Sequence, residues 1–293
     1  MFYGARSYDW VFSNRKGGGY LCIYMKKSLF FTLVLTCVCV ICSGQEILSN
    51  EAAFRAEYRF LYKMDSLKQG YFSDVFHLDI CRSGHSYFYS RATQYRDSVK
   101  YASLSQGLDA YQASNAIRGL PKGLPWYVDK RFVEGKYLYF THILYDVFKG
   151  TENLILPEWK HSEDTLSING ILCKYAQAKI AGRIWKVWYA PEIPLNDGPW
   201  LLWGLPGLIM KAEDSNGYFK FICDNVGELK EPYFVLLQGD YNNTREMKME
   251  DVVKAETMYG LEPQKFISAY GYGTVIGPPV PKRYYIPLFR IEK

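Results

Sequence analysis

From position 54 to 62 the chain trades apolar for polar residues at every step. Phe54, Ala56, Tyr58, Phe60 and Tyr62 fall on one phase and Arg55, Glu57 and Arg59 on the other, with Leu61 the one exception. A period of two sends the two sets to opposite faces of a strand, one buried and one wet, as in an antiparallel sheet. Phe76, Leu78 and Ile80 alternate with His77 and Asp79 in the same way, and Tyr87 to Arg91 reads as a return strand after Ser83-Gly84. Between Arg91 and Ile117 the alternation lapses into an Ala-, Ser- and Gln-containing stretch that reads as helical in part. Three hairpins follow. Trp126 to Val133 and Lys136 to Ile143 flank Glu134-Gly135; Ile171 to Ile180 and Arg183 to Tyr189 flank Ala181-Gly182; Leu208 to Glu213 and Tyr218 to Cys223 flank Asp214-Ser215-Asn216-Gly217. Such connections supply the positive φ and local hydrogen bonds that tight turns need. Arg245 to Tyr259 reads as an amphipathic helix with Met249, Val252, Val253 and Met258 on one face, whereas Gly277 to Pro281 is too rich in proline for a central strand.

These elements predict one mainly β domain over residues 45–293. The expected form is a curved antiparallel sheet, open or half-barrel as in periplasmic lipoprotein carriers, with one or two helices packed on it; a β-sandwich is the alternative. Composition points the same way. The chain is 48% apolar, 22% charged and 17% aromatic, a globular balance with an excess of rings that suit pleated surfaces.

The N-terminal region has a different logic. Met25-Lys26-Lys27 precedes the apolar run Leu29 to Ile41, and Cys42-Ser43-Gly44 supplies small residues before Gln45-Glu46. That order is a secretory signal over 25–44, and its 13-residue apolar run is short of the roughly 20 residues that span a bilayer. Cleavage after Gly44 is therefore expected, with no transmembrane segment remaining and the product in the periplasm, the outer envelope or outside the cell. Residues 1–24, with Tyr3, Tyr8, Asp9, Trp10 and Tyr20, read as an extension upstream of a true start at Met25. Acylation at Cys42 is the rival reading, opposed by the bulky Ile41 before it.

Removing the leader changes both charge and cysteine content. The formal charge of +5 falls to about +1 because Arg6, Arg15, Lys16, Lys26 and Lys27 face only Asp9 in the first 44 residues. A near-neutral chain without a basic cluster lacks the footprint of a nucleic-acid binder. Of seven cysteines, Cys81, Cys173 and Cys223 remain, too few for a disulfide scaffold and without C-x-x-C spacing for zinc. Whether Cys173 and Cys223 are bridged is left open by the sequence.

Gly204-Leu205-Pro206-Gly207-Leu208-Ile209 carries the one strong resemblance. With Gly182-Arg183, Trp188-Tyr189-Ala190-Pro191-Glu192-Ile193-Pro194 and Gly198-Pro199-Trp200 upstream, the chain resembles the GLPGLI family, exported proteins of Bacteroidota with no established activity. The resemblance implies an address and a signature, and no mechanism. It departs at Cys173-Lys174-Tyr175-Ala176, where the family commonly has C-Q-K-A and Tyr175 takes the lysine position. Within the signature, Pro206-Gly207 suits a type II turn, and Pro191, Pro194 and Pro199 remove three donors, so an extended surface loop exposing Trp200, Leu201, Leu202 and Trp203 is expected.

Catalytic motifs are missing: there is no G-x-S-x-G, H-E-x-x-H, Walker loop or EF-hand pattern, and Gly271-Tyr272-Gly273-Thr274-Val275-Ile276-Gly277 lacks the βαβ context of a dinucleotide fingerprint. No tightly bound metal or nucleotide cofactor is expected. His77, His85, His142 and His161 are scattered, His77 on the polar phase of its strand, and Ser86 next to His85 points to the opposite face. Arg183 and Glu192, the charged residues of the signature, read as an ion pair fixing the loop, or as anchors for an anion. Trp185, Trp188, Trp200 and Trp203, with Tyr189, Leu208 and Ile209, line either a packed core or a concave surface for an apolar ligand, a lipid or lipoprotein acyl chain. An envelope module that docks on a partner protein is the alternative, and a hydrolase with an unrecognised site stands below both.

Overall fold

The computed structural model describes residues 51–63, 65, 67, 69–234, 244–273 and 284–290. The proposed leader and Gly277–Pro281 lie outside them. Twelve strands among the described residues make a single sheet: β1 Glu51–Tyr62, β2 Phe72–Cys81, β3 His85–Ser90, β4 Trp126–Arg131, β5 Lys136–Ile143, β6 Asp146–Asn153, β7 Lys160–Ile168, β8 Ile171–Ile180, β9 Arg183–Ala190, β10 Leu208–Asp214, β11 Phe219–Phe234 and β12 Thr244–Lys248. The sheet is open, in the order β12-β6-β5-β4-β3-β2-β1-β11-β10-β9-β8-β7. Neighbours are antiparallel except β12, which runs parallel to β6. Helices α1 Arg91–Ser105, α2 Ala110–Ala116, α3 Met249–Leu261 and α4 Pro263–Ala269 complete the set, two more than the sequence predicts.

The sheet curls. Asn169, in the turn between β7 and β8, donates its side-chain amide to the carbonyl of Cys223 on β11 at 3.0 Å. Three strand spacings separate β8 from β11, about 14 Å in a flat sheet, so the two ends of that block must bend towards each other. The bend is what gathers one core from nearly every strand. Tyr58 and Phe60 of β1 meet Phe76, Phe88 and Trp126 on one side and Trp185, Val187 and Phe221 on the other. Phe60 stacks on Phe221 at 4.3 Å and Phe76 on Phe88 at 4.8 Å. Each such pair is worth about 0.5–1.5 kcal/mol beyond the area it buries. Val252 and Val253 of α3 close the core over β5 and β6, together with Ile286, Leu288 and Phe289 of the C-terminal segment.

The alternation read at 54–62 is what β1 does, with Ala56, Tyr58 and Phe60 inside. The opposite face is less wet than a period of two implies. Arg55 makes a two-pronged bond to the buried Asp79 at 2.5 and 2.8 Å, and Asp79 also accepts from the Tyr89 hydroxyl. Around them Cys81, Tyr87, Tyr127, Leu138 and Phe140 form a second buried cluster. Cys81, Cys173 and Cys223 are all buried free thiols, so Cys173 and Cys223 are unbridged.

Three strands, β6, β7 and β12, escape the sequence pattern, the last two for physical reasons. β7 is exposed along almost its whole length as the last strand of the sheet, so neither phase is under pressure to be apolar. β12 is only five residues long and passes directly into α3, so the predicted helix at Arg245 begins four residues late, at Met249. Burial also sets a pH response here. Glu256 of α3 accepts from the Tyr139 hydroxyl at 3.0 Å, and desolvation pushes its carboxyl up from 4.5 to about 7 despite that bond. Tyr285, half-buried, lies near the same carboxyl. An acid whose folded pKa is raised is easiest to fold while protonated, so its stabilising effect is complete below about pH 4.5 and lost as pH rises through about 7. Glu256→Gln should therefore melt at a higher temperature than the parent at about pH 8 and at the same temperature near pH 4, as scanning calorimetry at several pH values will show.

Candidate functional site

The signature segment is a plug rather than a surface loop. It leaves β9 at Ala190 and re-enters the sheet at Leu208, and between them Trp200, Leu201, Leu202 and Leu205 turn inward and are buried. Several of its backbone groups bond within the segment: Ile193 and Leu208 amides donate to Ala190 and Ile193 carbonyls, Gly204 to Asn196, Ile209 to Asp197. That internal bonding is what permits burial, since an unsatisfied backbone group would have to face water. The three prolines do not prevent it; Pro191 and Pro194 stay exposed and Pro199 is buried. Trp200 adopts a positive φ of 54° that lets it stand against Trp185 at 5.5 Å and Phe289 at 4.9 Å.

The predicted type II turn takes another form. The Gly207 amide bonds Leu205 two residues back at 2.8 Å, the bond of a γ-turn centred on Pro206, and the Leu208 amide goes to Ile193 instead of to Leu205. The predicted Arg183–Glu192 pair is also replaced. Arg183 is buried and pairs with Asp214 at 2.9 Å, donates to the Leu288 carbonyl at 2.8 Å and to that of Pro287, and lies 4.5 Å above the Phe219 ring. Glu192 is exposed. A buried guanidinium needs a buried anion, and Glu192, whose side chain faces water, cannot supply one.

Trp185, Tyr189, Trp200, Leu208 and Ile209 belong to the packed core, where the Tyr58 hydroxyl also donates to the Ile209 carbonyl at 2.7 Å. Trp188 faces the other side of β9, half-buried edge-on to Tyr175 with the Lys211 ammonium 4.6 Å above its ring. Of the aromatic stripe, the core reading holds for Trp185 and Trp200. The histidines remain apart: His77 bonds Glu57 at 3.2 Å, His85 lies 3.9 Å from Asp129, and His161 reaches the Tyr189 hydroxyl at 3.5 Å. Among the described residues no three His, Cys, Asp or Glu side chains come together as metal ligands, and no helix is long and apolar enough to cross a membrane.

One concave feature lies at the rim of the plug. The connector from β6 to β7 arches past the β8–β9 hairpin and leaves a cleft of about 630 Å³, lined by Leu154, Ile155, Leu156, Pro157, Ile180, Ala181, Ile184, Leu201 and Trp203. Tyr137, Glu152, Glu158, Lys160, Gln177 and Lys179 supply its polar margin. The Trp159 indole holds the connector to the plug by donating to the Trp203 carbonyl at 2.9 Å. Ile155, Leu156 and Ile184 are 78%, 60% and 48% exposed, so three large aliphatic side chains stand in water at one place. None of these three was singled out in the sequence. Ile184 gave a signal, an isoleucine on the outward phase of β9 beside Lys186; Ile155-Leu156 lies in an aperiodic connector.

A family model described as a protein of unknown function (Porph_ging) matches residues 159–211, a stretch that runs from the cleft's connector through the hexapeptide. Two structures of PNGF-II, in space groups P21 and C2, are similar to the chain at 16% identity with TM-scores of 0.44 and 0.43, over 69% and 68% of its length. The chain spans about a third of PNGF-II, 32% in both cases. No curated protein matches the chain.

Proposed function

We propose that this is an exported cell-envelope protein of the GLPGLI kind that holds an apolar chain, an acyl group of a lipid or lipoprotein, in the cleft between the β6–β7 connector and the β8–β9 hairpin. Export rests on the leader-like order of residues 25–44, and the family reading on the hexapeptide inside the matched stretch. The observation that carries the ligand reading is the exposure of Ile155, Leu156 and Ile184 around one 630 Å³ opening. That volume lies in the range of small-molecule sites, which are mostly apolar with a few polar groups at the margin. It also moves the ligand away from the aromatic face of the sheet, which the chain's own core fills.

Binding of cis-parinaric acid to residues 45–293 tests this. The parent should enhance the probe's fluorescence saturably. Ile184→Asp, which places a charge against the acyl chain at a half-exposed position, should weaken binding at least about tenfold, or 1.4 kcal/mol, with little change in melting temperature. Absent binding by the parent, or full binding by the variant, removes the cleft from consideration. A docking role through β7 is the second reading, favoured by that strand's position at the sheet edge. Lys160, Glu163 and Asp164 on it are the charges by which edges discourage pairing, so the cleft takes precedence.

A further inference from the structure

A lysine occupies a core position in β4. Trp126, Val128 and Lys130 share one phase of the strand, and Lys130 is fully buried among the residues that phase contributes to the core. Its ammonium meets Oδ1 of Asp197 in the plug and donates to the Gly198 carbonyl at 2.7 Å. Asp197 is 4% exposed, and its Oδ1 also accepts the Gly198 amide at 2.7 Å. Oδ2 of Asp197 is buried without a partner. So is the hydroxyl of Ser86, the residue opposite Lys130 in the β3–β4 register. Burial draws the Lys130 amine below its usual range.

As an ion pair this arrangement is poorly compensated, since a charged carboxylate in a core needs both oxygens satisfied. Transfer of one proton from Nζ to the carboxyl turns the pair into an amine and a carboxylic acid and leaves the net charge of the site unchanged. These are the reactants of an amide condensation, held in contact by the fold.

We propose that Lys130 and Asp197 are joined by an intramolecular isopeptide bond. The Nζ lone pair attacks Cγ of Asp197 and forms the C–N bond. The Gly198 amide, already on Oδ1, stabilises the negative charge that develops there. One Nζ proton passes to Oδ2, the Cγ–Oδ2 bond breaks, and Oδ2 leaves as water. Ser86, across the strand pair, has an uncommitted hydroxyl on the same face to carry that proton. Nothing is oxidised or reduced, and no co-reactant enters. The product is a neutral amide that removes both charges and the orphaned oxygen and fastens the plug covalently to β4.

Peptide mapping of the full chain, purified from cells and digested with trypsin after denaturation, decides it. The peptide carrying Lys130 should be recovered joined to the peptide carrying Asp197, lighter than their sum by one water. Asp197→Asn should give the same joined pair lighter by one ammonia, and Lys130→Arg should give none. Separate, unmodified peptides from the parent chain overturn the proposal whether or not either variant folds.

Discussion

Replacing Asp214 by alanine should lower the unfolding free energy by about 3–5 kcal/mol, the loss expected when a buried charge is stripped of its partner. Arg183→Ala should also be destabilising, for the complementary reason. The Arg183 and Asp214 side chains are each 1% exposed, so neither can recover its lost contact from water. Desolvation already dominates the arginine: burial draws it down from 12.5 to about 10 in spite of the carboxylate beside it. The pair is therefore needed less for its mutual attraction than because each member makes the other's burial tolerable. Asp214 has a second duty. Its Oδ1 accepts the amides of Tyr218 and Phe219 at 2.6 and 2.8 Å, closing the β10–β11 turn, so the two single losses should be unequal, Asp214→Ala the larger. The double variant should lose less than the two singles together, by about 1–3 kcal/mol, since residues in one buried network are coupled. Glu192→Ala, at an exposed position, should stay within about 0.5 kcal/mol of the parent. Urea denaturation of the four variants beside the parent tests all of this, and a large loss in Glu192→Ala would restore the pairing that sequence suggested.

That correction shows where the sequence was legible. Phe54, Ala56, Tyr58 and Phe60 announce β1 because one phase of the strand meets a core and the other does not, so selection for burial writes a period of two. Lys160 to Ile168 announces nothing, since an edge strand exposed on both faces is under no such pressure. Arg183 stood out as a charge inside an apolar signature, yet its partner lies on β10, 31 residues away, and only the β9–β10 register brings Asp214 to it. Asp214 was read correctly as a turn residue; its other oxygen had no local signal. The plug was misread because three prolines within nine residues describe a backbone short of donors, and say nothing of the carbonyl partners that let such a backbone go inside. The cleft is assembled from a connector, a hairpin and the plug, and no contiguous pattern marks it.

Gly207→Ala should cost about 3 kcal/mol or more, and Gly204→Ala much less, although both glycines belong to the same hexapeptide. At Gly207 φ is 151°, and a Cβ there would sit 2.2 Å from the Ala190 carbonyl oxygen and 2.5 Å from its carbon. Those are backbone atoms at the end of β9, where the chain leaves for the plug, and they cannot rotate away. Relief requires moving the Leu205–Leu208 turn or the strand end, and either movement disturbs the Leu208–Ile193 bond that seats Trp200 and Leu202 in the core. Strain of this kind costs about 1–3 kcal/mol alone, before lost packing is added. At Gly204 φ is also positive, 88°, but the Cβ would meet the Cδ1 of Leu156 at 2.4 Å, the tip of an exposed side chain free to swing aside. Leu156 lines the cleft. Gly204→Ala should therefore lose about 1–2 kcal/mol and change the affinity for cis-parinaric acid, while Gly207→Ala should lose stability first and binding only as a consequence. Thermal unfolding and probe titration on the same two proteins separate these outcomes. If Gly207→Ala melts with the parent, the plug is not held by that turn; if Gly204→Ala binds the probe as the parent does, the ligand does not pass over Leu156.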